Sequence, residues 1–158
     1  ARNDARENKR PGAENGSYGF EMYNGNVKVN SSTIGGFSGS SLTTNDILGI
    51  AIDCDNNKIY FRKNGDAWMN SGDPTSGSTG TGALSLTAAT GGDYDGFWFF
   101  VIGDGDSSSS SKISANFGNG SFKSTAVSSA GTNASGIGIF EYDVPAGYTA
   151  LSTKGLNE

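Results

Sequence analysis

The chain has 158 residues, a net charge of −5, 34% apolar residues and 25 glycines. One domain is the default at this length, and the Gly-rich, apolar-poor balance fits a turn-rich all-β module better than a helical one. The negative charge argues against nucleic acid as partner, a single cysteine excludes an internal disulfide, and the absence of histidine removes Ser-His-Asp and Cys-His chemistry.

Residues 1–16 are polar and charged, with Pro11-Gly12 as a breaker, and read as a loop or linker from a preceding part of a longer chain. Arg2, Arg6, Lys9 and Arg10 are interrupted by Asp4 and Glu7 and read as a solvated stretch. The domain proper is expected over 17–158. Tyr18, Phe20 and Met22 alternate with Gly19, Glu21 and Tyr23, predicting a half-buried strand. Asn24-Gly25 predicts a hairpin turn into Val27 and Val29. Residues 30–45, rich in Ser, Gly and Thr, read as irregular connection.

The stretch from Asp46 to Gly65 predicts two strands joined by a tight turn at Asn56-Asn57, with a second turn at Asn64-Gly65. Period two places Leu48, Ile50, Ile52 and Cys54 on an inner face, so Cys54 is expected as a small core residue. Ile59 and Phe61 are expected inward, with Lys58, Tyr60 and Arg62 pointing away. A short strand should hold Trp68. Residues 70–82 have almost nothing to bury and read as a mobile surface loop. Leu84 and Leu86 suggest a short strand.

Phe97 to Ile102 is apolar on both faces and predicts a central strand covered on each side. The run is far shorter than the ~20 residues of a membrane helix, so no membrane insertion is expected. A Gly/Asp/Ser loop follows it. Ile113, Ala115 and Phe117 are expected inward from a strand at 112–117, 123–136 reads as loop, and 137–142 as another strand. No helical periodicity is sustained, so the pattern predicts an all-β, two-sheet antiparallel sandwich.

Three motifs carry a family resemblance. Asp46, Leu48, Gly49, Ile52, Asp53, Asp55, Ile59, Phe61, Lys63, Asn64 and Gly65 resemble the central hairpin of SPRY domains. Asn116, Phe117, Gly118 and Phe122 resemble the late SPRY strand with its N-F-G signature. Pro145, Gly147, Tyr148, Ala150, Leu151, Thr153 and Leu156 resemble the ending of SPRY-like proteins in tailed-bacteriophage genomes. The resemblance implies a concanavalin-like jelly-roll sandwich that binds partners without catalysis. The aromatic W-x-[WF]-E-[VI] strand and the G-[VI]-[AG] strand that usually open such domains are not in this sequence. The expectation is therefore a piece of a longer polypeptide, or a domain whose first strands come from elsewhere.

Sandwich glycosidases need two carboxylates facing one another across the sugar bond, but every glutamate here is isolated. Asp53 and Asp55 share a face beside a hairpin turn, and Asp55 is expected to cap it. Asp93 and Asp95, and Asp104 and Asp106, are spaced like calcium ligands but flank a strand from opposite ends, so no metal site and no cofactor is assigned. Asn30, Asn119 and Asn133 open glycosylation sequons that read as chance matches. Trp68 and Tyr94 lie within or beside Asp-rich loops, with Asp66, Asp93 and Asp95 as polar neighbours. An aromatic face with flanking carboxylates is what a glycan requires, but an indole beside a strand gains more by packing back into the sandwich, and that reading is favoured for Trp68. Asp93 and Asp95 stand at the opposite end of the predicted 97–102 strand from 104–111, so at most one of those loops can join Trp68.

The sequence-level expectation is a non-enzymatic module of a phage virion that recognises the host surface from a tail fibre or similar appendage. Its partners would be other virion proteins and a host cell-surface glycan or protein, and a homo-oligomer is expected. The alternative is a structural virion component, a capsid decoration or fibre-spacing domain that binds other virion proteins.

Overall fold

The computed structural model describes residues 11–13, 16–35, 37, 41–87, 98–103, 111–128 and 138–151. Strands and turns dominate them. The helical elements are two 3-10 segments, Met69–Ser71 and Pro74–Thr79. The chain divides into two compact units, one of residues 1–48 and 84–111, the other of 49–83 and 112–158.

In the first unit β1 (Tyr18–Glu21), β2 (Asn26–Val29) and β3 (Ser32–Ile34) form an antiparallel meander. The register pairs Phe20 with Val27 and Val27 with Ile34. Val27, at the centre, is fully buried. The turn at 22–25 takes Met22 and Tyr23 out of the expected strand and leaves Tyr23 72% exposed. Gly25 supplies the positive φ of 72° that a hairpin needs. β3 was not expected within 30–45. Only three residues long, it is defined by its pairing with β2 rather than by a pattern of its own.

The stretch before β1 is laced to the β2–β3 turn. Gly12 N donates to Ser17 Oγ at 2.7 Å, Ser31 N to Gly12 O at 2.7 Å, and Gly16 N to Asn30 Oδ1 at 2.8 Å. Tyr18 meets Trp98 edge-on at 5.5 Å, and its hydroxyl accepts from Thr87 N at 2.7 Å. Phe37 and Leu86 complete the buried apolar set of this unit.

Trp98–Gly103 carry no strand assignment, which corrects the expected central strand; Phe97 lies outside the described residues. Phe99, Phe100, Val101 and Ile102 remain 42–51% exposed. An apolar run becomes a covered strand only where neighbours pair along it, and the run itself does not encode those neighbours.

The second unit is built on the hairpin of β4 (Leu48–Asp53) and β5 (Lys58–Lys63). Asn57 at φ 55° and Asn64 at φ 51° make the two predicted turns. The inner face of β4 is the opposite of the expected one. Ala51 is buried, Ile52 is 39% exposed, and Cys54 falls in the turn, where it is exposed rather than in the core. Ile59, Tyr60 and Phe61 are all buried, so Tyr60 does not point to solvent.

The turn cap is also reassigned. Asp53, not Asp55, holds the turn, accepting from Asn56 N at 2.9 Å and from Asn56 Nδ2 at 2.8 Å. These bonds hold the Asp53 carboxyl below its ordinary value.

β6 (Leu84–Ser85) is a two-residue strand, as expected. β7 (Ser121–Phe122) and β8 (Thr125–Ala126) form a hairpin, the second strand of which falls in the 123–136 segment read as loop. Residues 111–116 carry no strand assignment, and Ile113 and Phe117 stay about 40% exposed instead of facing inward. The reason is visible at the N-F-G signature, which is a turn. Asn116 Oδ1 accepts from Gly118 N at 2.7 Å and Asn119 N at 3.1 Å, and Asn116 Nδ2 donates to Ile139 O at 3.0 Å. Gly118, at φ 101°, lies against Ala150 and Gly138, where a Cβ would come within 2.8 Å of the Ala150 Cβ. Of the expected 137–142 strand, Ile139 and Phe140 form isolated bridges; Ile137 lies outside the described residues.

Candidate functional site

β5 presents Tyr60 and Arg62 two residues apart and therefore on one face. The chain then turns at Asn64-Gly65, where Asp66 N donates to Lys63 O at 3.1 Å, and returns Trp68 to that face. Trp68 does not sit in the expected strand. It is extended at φ −62°, ψ 137° and caps the 3-10 segment Met69–Ser71. Its ring meets Tyr60 edge-on at 6.3 Å, and the Arg62 guanidinium carbon lies 4.7 Å from the ring centroid. Trp68 is half-buried. Packing against the hairpin and partial exposure, posed as alternatives by the sequence, are both realised.

The segment after Trp68, expected as a surface loop, carries two 3-10 segments held by polar bonds. Gly72 N donates back to Trp68 O at 3.3 Å and Met69 O at 3.1 Å, and Asp73 N donates to Thr81 O at 3.0 Å. Asp73 caps the second 3-10 segment, accepting from Thr75 N at 2.9 Å and Thr75 Oγ1 at 2.6 Å, which holds its carboxyl below the ordinary value. Gly82, at φ 64°, rests on Asn70 and Gly72; a Cβ there would lie 2.4 Å from Asn70 O.

The 138–151 segment supplies the other wall. Arg62 Nη2 donates to Asp143 O. Tyr142 covers Gly65, so close that a Cβ on Gly65 would be 2.7 Å from the Tyr142 ring. The P-A-G-Y motif is a turn, with Tyr148 N donating to Pro145 O at 3.1 Å and Gly147 at φ 85°. That turn delivers the Tyr148 hydroxyl to Pro74 O at 3.0 Å. Burial, reinforced by Asp53, Tyr60 and Asp73, pushes the Tyr148 phenol up to about 12.

Among the described residues, two buried side-chain polar atoms, Tyr60 Oη and Arg62 Nε, have no hydrogen-bond partner. Burial pulls the Arg62 guanidinium down from its ordinary value, opposed by Asp143 and Tyr142; it remains a cation throughout the physiological range.

Of the residues singled out from sequence, Trp68 and Asp66 are in one turn, and Asp66 is exposed. Tyr94, Asp93 and Asp95 lie outside the described residues, as do Asp104 and Asp106. Arg62, Tyr60, Tyr142 and Tyr148 were not anticipated. The signal for the first two was present, since period two already put Tyr60 and Arg62 on one face. What it could not supply was the turn that folds Trp68 back onto them. No group of three or more potential metal-ligating Cys, Asp or Glu side chains occurs among the described residues, and no helix there is long and apolar enough to cross a membrane.

No curated protein and no solved structure matches the chain. The family profile of the SPRY domain matches residues 1–85, which include the β4–β5 hairpin, Asp66 and Trp68. That span is more than half of the 158 residues, and the chain belongs to the SPRY domain family.

Proposed function

We propose that this SPRY domain is a non-enzymatic recognition module of a tailed-phage virion, carried on a tail fibre or similar appendage as a two-sheet sandwich. The observation that carries the reading is the turn at 64–72. It holds a half-buried Trp68 against Tyr60 and Arg62 while leaving Asp66 exposed. An aromatic fixed by its neighbours loses little freedom on binding, which is how anchors contribute affinity. The phage assignment rests on the resemblance of 144–156 to the ending of phage-encoded SPRY-like proteins. Tyr148 and Ala150 of that motif pack into the same unit as the turn. Both turn carboxylates, Asp53 and Asp73, are engaged in capping bonds, which supports a binding rather than a hydrolytic role.

A second reading is favoured by a different observation. Phe99, Phe100, Val101 and Ile102 expose an apolar run of the kind that marks protein contact surfaces. In that reading the chain is a structural virion component, and this run meets neighbouring virion subunits. The two are separated by one comparison of purified wild type with Trp68→Ala and Phe99→Ser/Phe100→Ser variants that remain folded. Recognition requires that Trp68→Ala lower binding to a panel of bacterial cells. The structural reading requires that cell binding be absent and that the Phe pair control self-association.

A further inference from the structure

We infer that residues 99–102 form a self-association surface, and that its occupant is the same run of a second copy of this chain. The inference rests on the structural reading and adds the identity of the neighbour and the way it meets the run. Trp98 anchors the run to its own unit, meeting Tyr18 edge-on at 5.5 Å, and the Tyr18 hydroxyl is held in turn by Thr87 N at 2.7 Å. Beyond that anchor, Phe99, Phe100, Val101 and Ile102 are 48%, 48%, 51% and 42% exposed. Single exposed apolar residues are ordinary on a protein surface, whereas four in succession form a patch of the kind that marks a contact.

Charge selects the occupant. Binding to a lipid surface combines an apolar face with Lys or Arg, and neither occurs between Phe97 and Ser111, where Asp104 and Asp106 follow the run. A glycan or a nucleic acid offers no apolar face to match four such side chains. A second copy does, since a two-fold contact sets a patch against its own equivalent. Both copies carry −5, so the run meets its equivalent by apolar burial and against mutual repulsion.

Area sets the strength. A fully covered aromatic side chain buries about 150–250 Å², so the two half-exposed Phe rings leave roughly 200 Å² open, and Val101 and Ile102 bring the patch to about 350 Å² per copy. A stable pair needs about 800 Å² per partner. The contact is therefore weak between free molecules. It becomes stable where neighbouring copies are held together in an assembly, which raises their effective concentration.

The test is sedimentation equilibrium of the full chain from about 10 μM to about 1 mM, the range in which so small a contact is half populated. The wild type should fit a monomer–dimer equilibrium that strengthens with added salt, which screens the repulsion between the copies. Phe99→Ser/Phe100→Ser should weaken it at least about tenfold, and Tyr23→Ser, at a residue 72% exposed in the β1–β2 turn, should not. In a Cys54→Ser background, Phe100→Cys should cross-link to its own equivalent at least about tenfold faster than Tyr23→Cys, because the contact concentrates like on like. If the Phe variants fail to fold, the salt series on the wild type decides alone. A chain that stays monomeric throughout, or that associates more weakly as salt is added, overturns the inference; if it also binds no cells, the structural reading stands with a different neighbour. Dimers without the Phe100→Cys cross-link overturn the like-on-like contact. Phe-dependent binding of a monomeric chain to phosphatidylcholine vesicles overturns it in favour of a lipid surface. Dimers that form as described while the wild type binds cells remove the structural reading and leave the self-association surface standing.

Discussion

Replacing Gly82 by alanine tests the framework that holds Trp68. Gly82 has a φ of 64°, where an L side chain is strained by about 1–2 kcal/mol. Its Cβ would stand 2.4 Å from Asn70 O, 2.5 Å from Gly72 Cα and 2.6 Å from Gly72 N. All three are backbone atoms, so the clash is relieved only by moving the 70–72 segment, at about 1–3 kcal/mol more. Gly80 is the control. It has nearly the same φ, 62°, but its Cβ would meet the flexible Lys58 side chain at 2.6 Å. Gly80→Ala should therefore cost the strain, about 1–2 kcal/mol, and Gly82→Ala about 2–5 kcal/mol, a large share of a typical domain's stability. Urea unfolding at neutral pH measures both. The substitution at Gly82 should also alter Trp68 fluorescence in the folded state, because Gly72 N donates to Trp68 O. Equal unfolding midpoints for the two variants, with unchanged emission, would refute the argument that backbone contact at Gly82 positions the indole.

Asp53→Ala should destabilise by about 1 kcal/mol, the worth of a turn hydrogen bond, and Asp55→Ala by less, in the same unfolding assay. The Asp53 carboxyl titrates below its ordinary value of 3.8 in the folded chain, so its contribution is complete above that pH and is lost as the pH falls through the lower folded value; Asp53→Ala should flatten this acid limb. The Tyr148 phenol is raised from 10.0 to about 12, so the folded state holds its proton longer and stability should decline as pH rises across that window. Partial exposure limits the loss to about 1 kcal/mol, and Tyr148→Phe should abolish it while forfeiting the bond to Pro74 O. No glycan cleavage that disappears with Asp53→Ala or Asp55→Ala should be detectable in a reducing-end assay.

The turns were the most legible part of this sequence, because Asn and Gly at positive φ announce themselves. Gly25, Asn57 and Asn64 each stand where the hairpins need them. The paired strands β1, β2, β4 and β5 followed from period two. The inner face of β4 did not, since Ala51 is buried while the more hydrophobic Ile52 is partly exposed. The two 3-10 segments at 69–71 and 74–79 were not legible for a related reason. Their order comes from Asp73, Thr75, Ser76 and Thr81 bonding to one another and to backbone, which leaves no hydrophobic trace. Trp68 was visible as a candidate, but Arg62 and Tyr142 join it through the 64–72 turn and a contact across much of the chain, which spacing alone does not encode.

Trp68 and Trp98 give this chain two indole N–H resonances, which Trp68→Phe assigns. The most direct test is therefore to follow both while isolated bacterial surface polysaccharide is added to the isotope-labelled chain. The account predicts that the Trp68 resonance moves in a saturable manner and that of Trp98, packed on Tyr18, does not. A Trp68 resonance that stays fixed while binding is detected by another probe would place recognition elsewhere on the molecule and contradict the account.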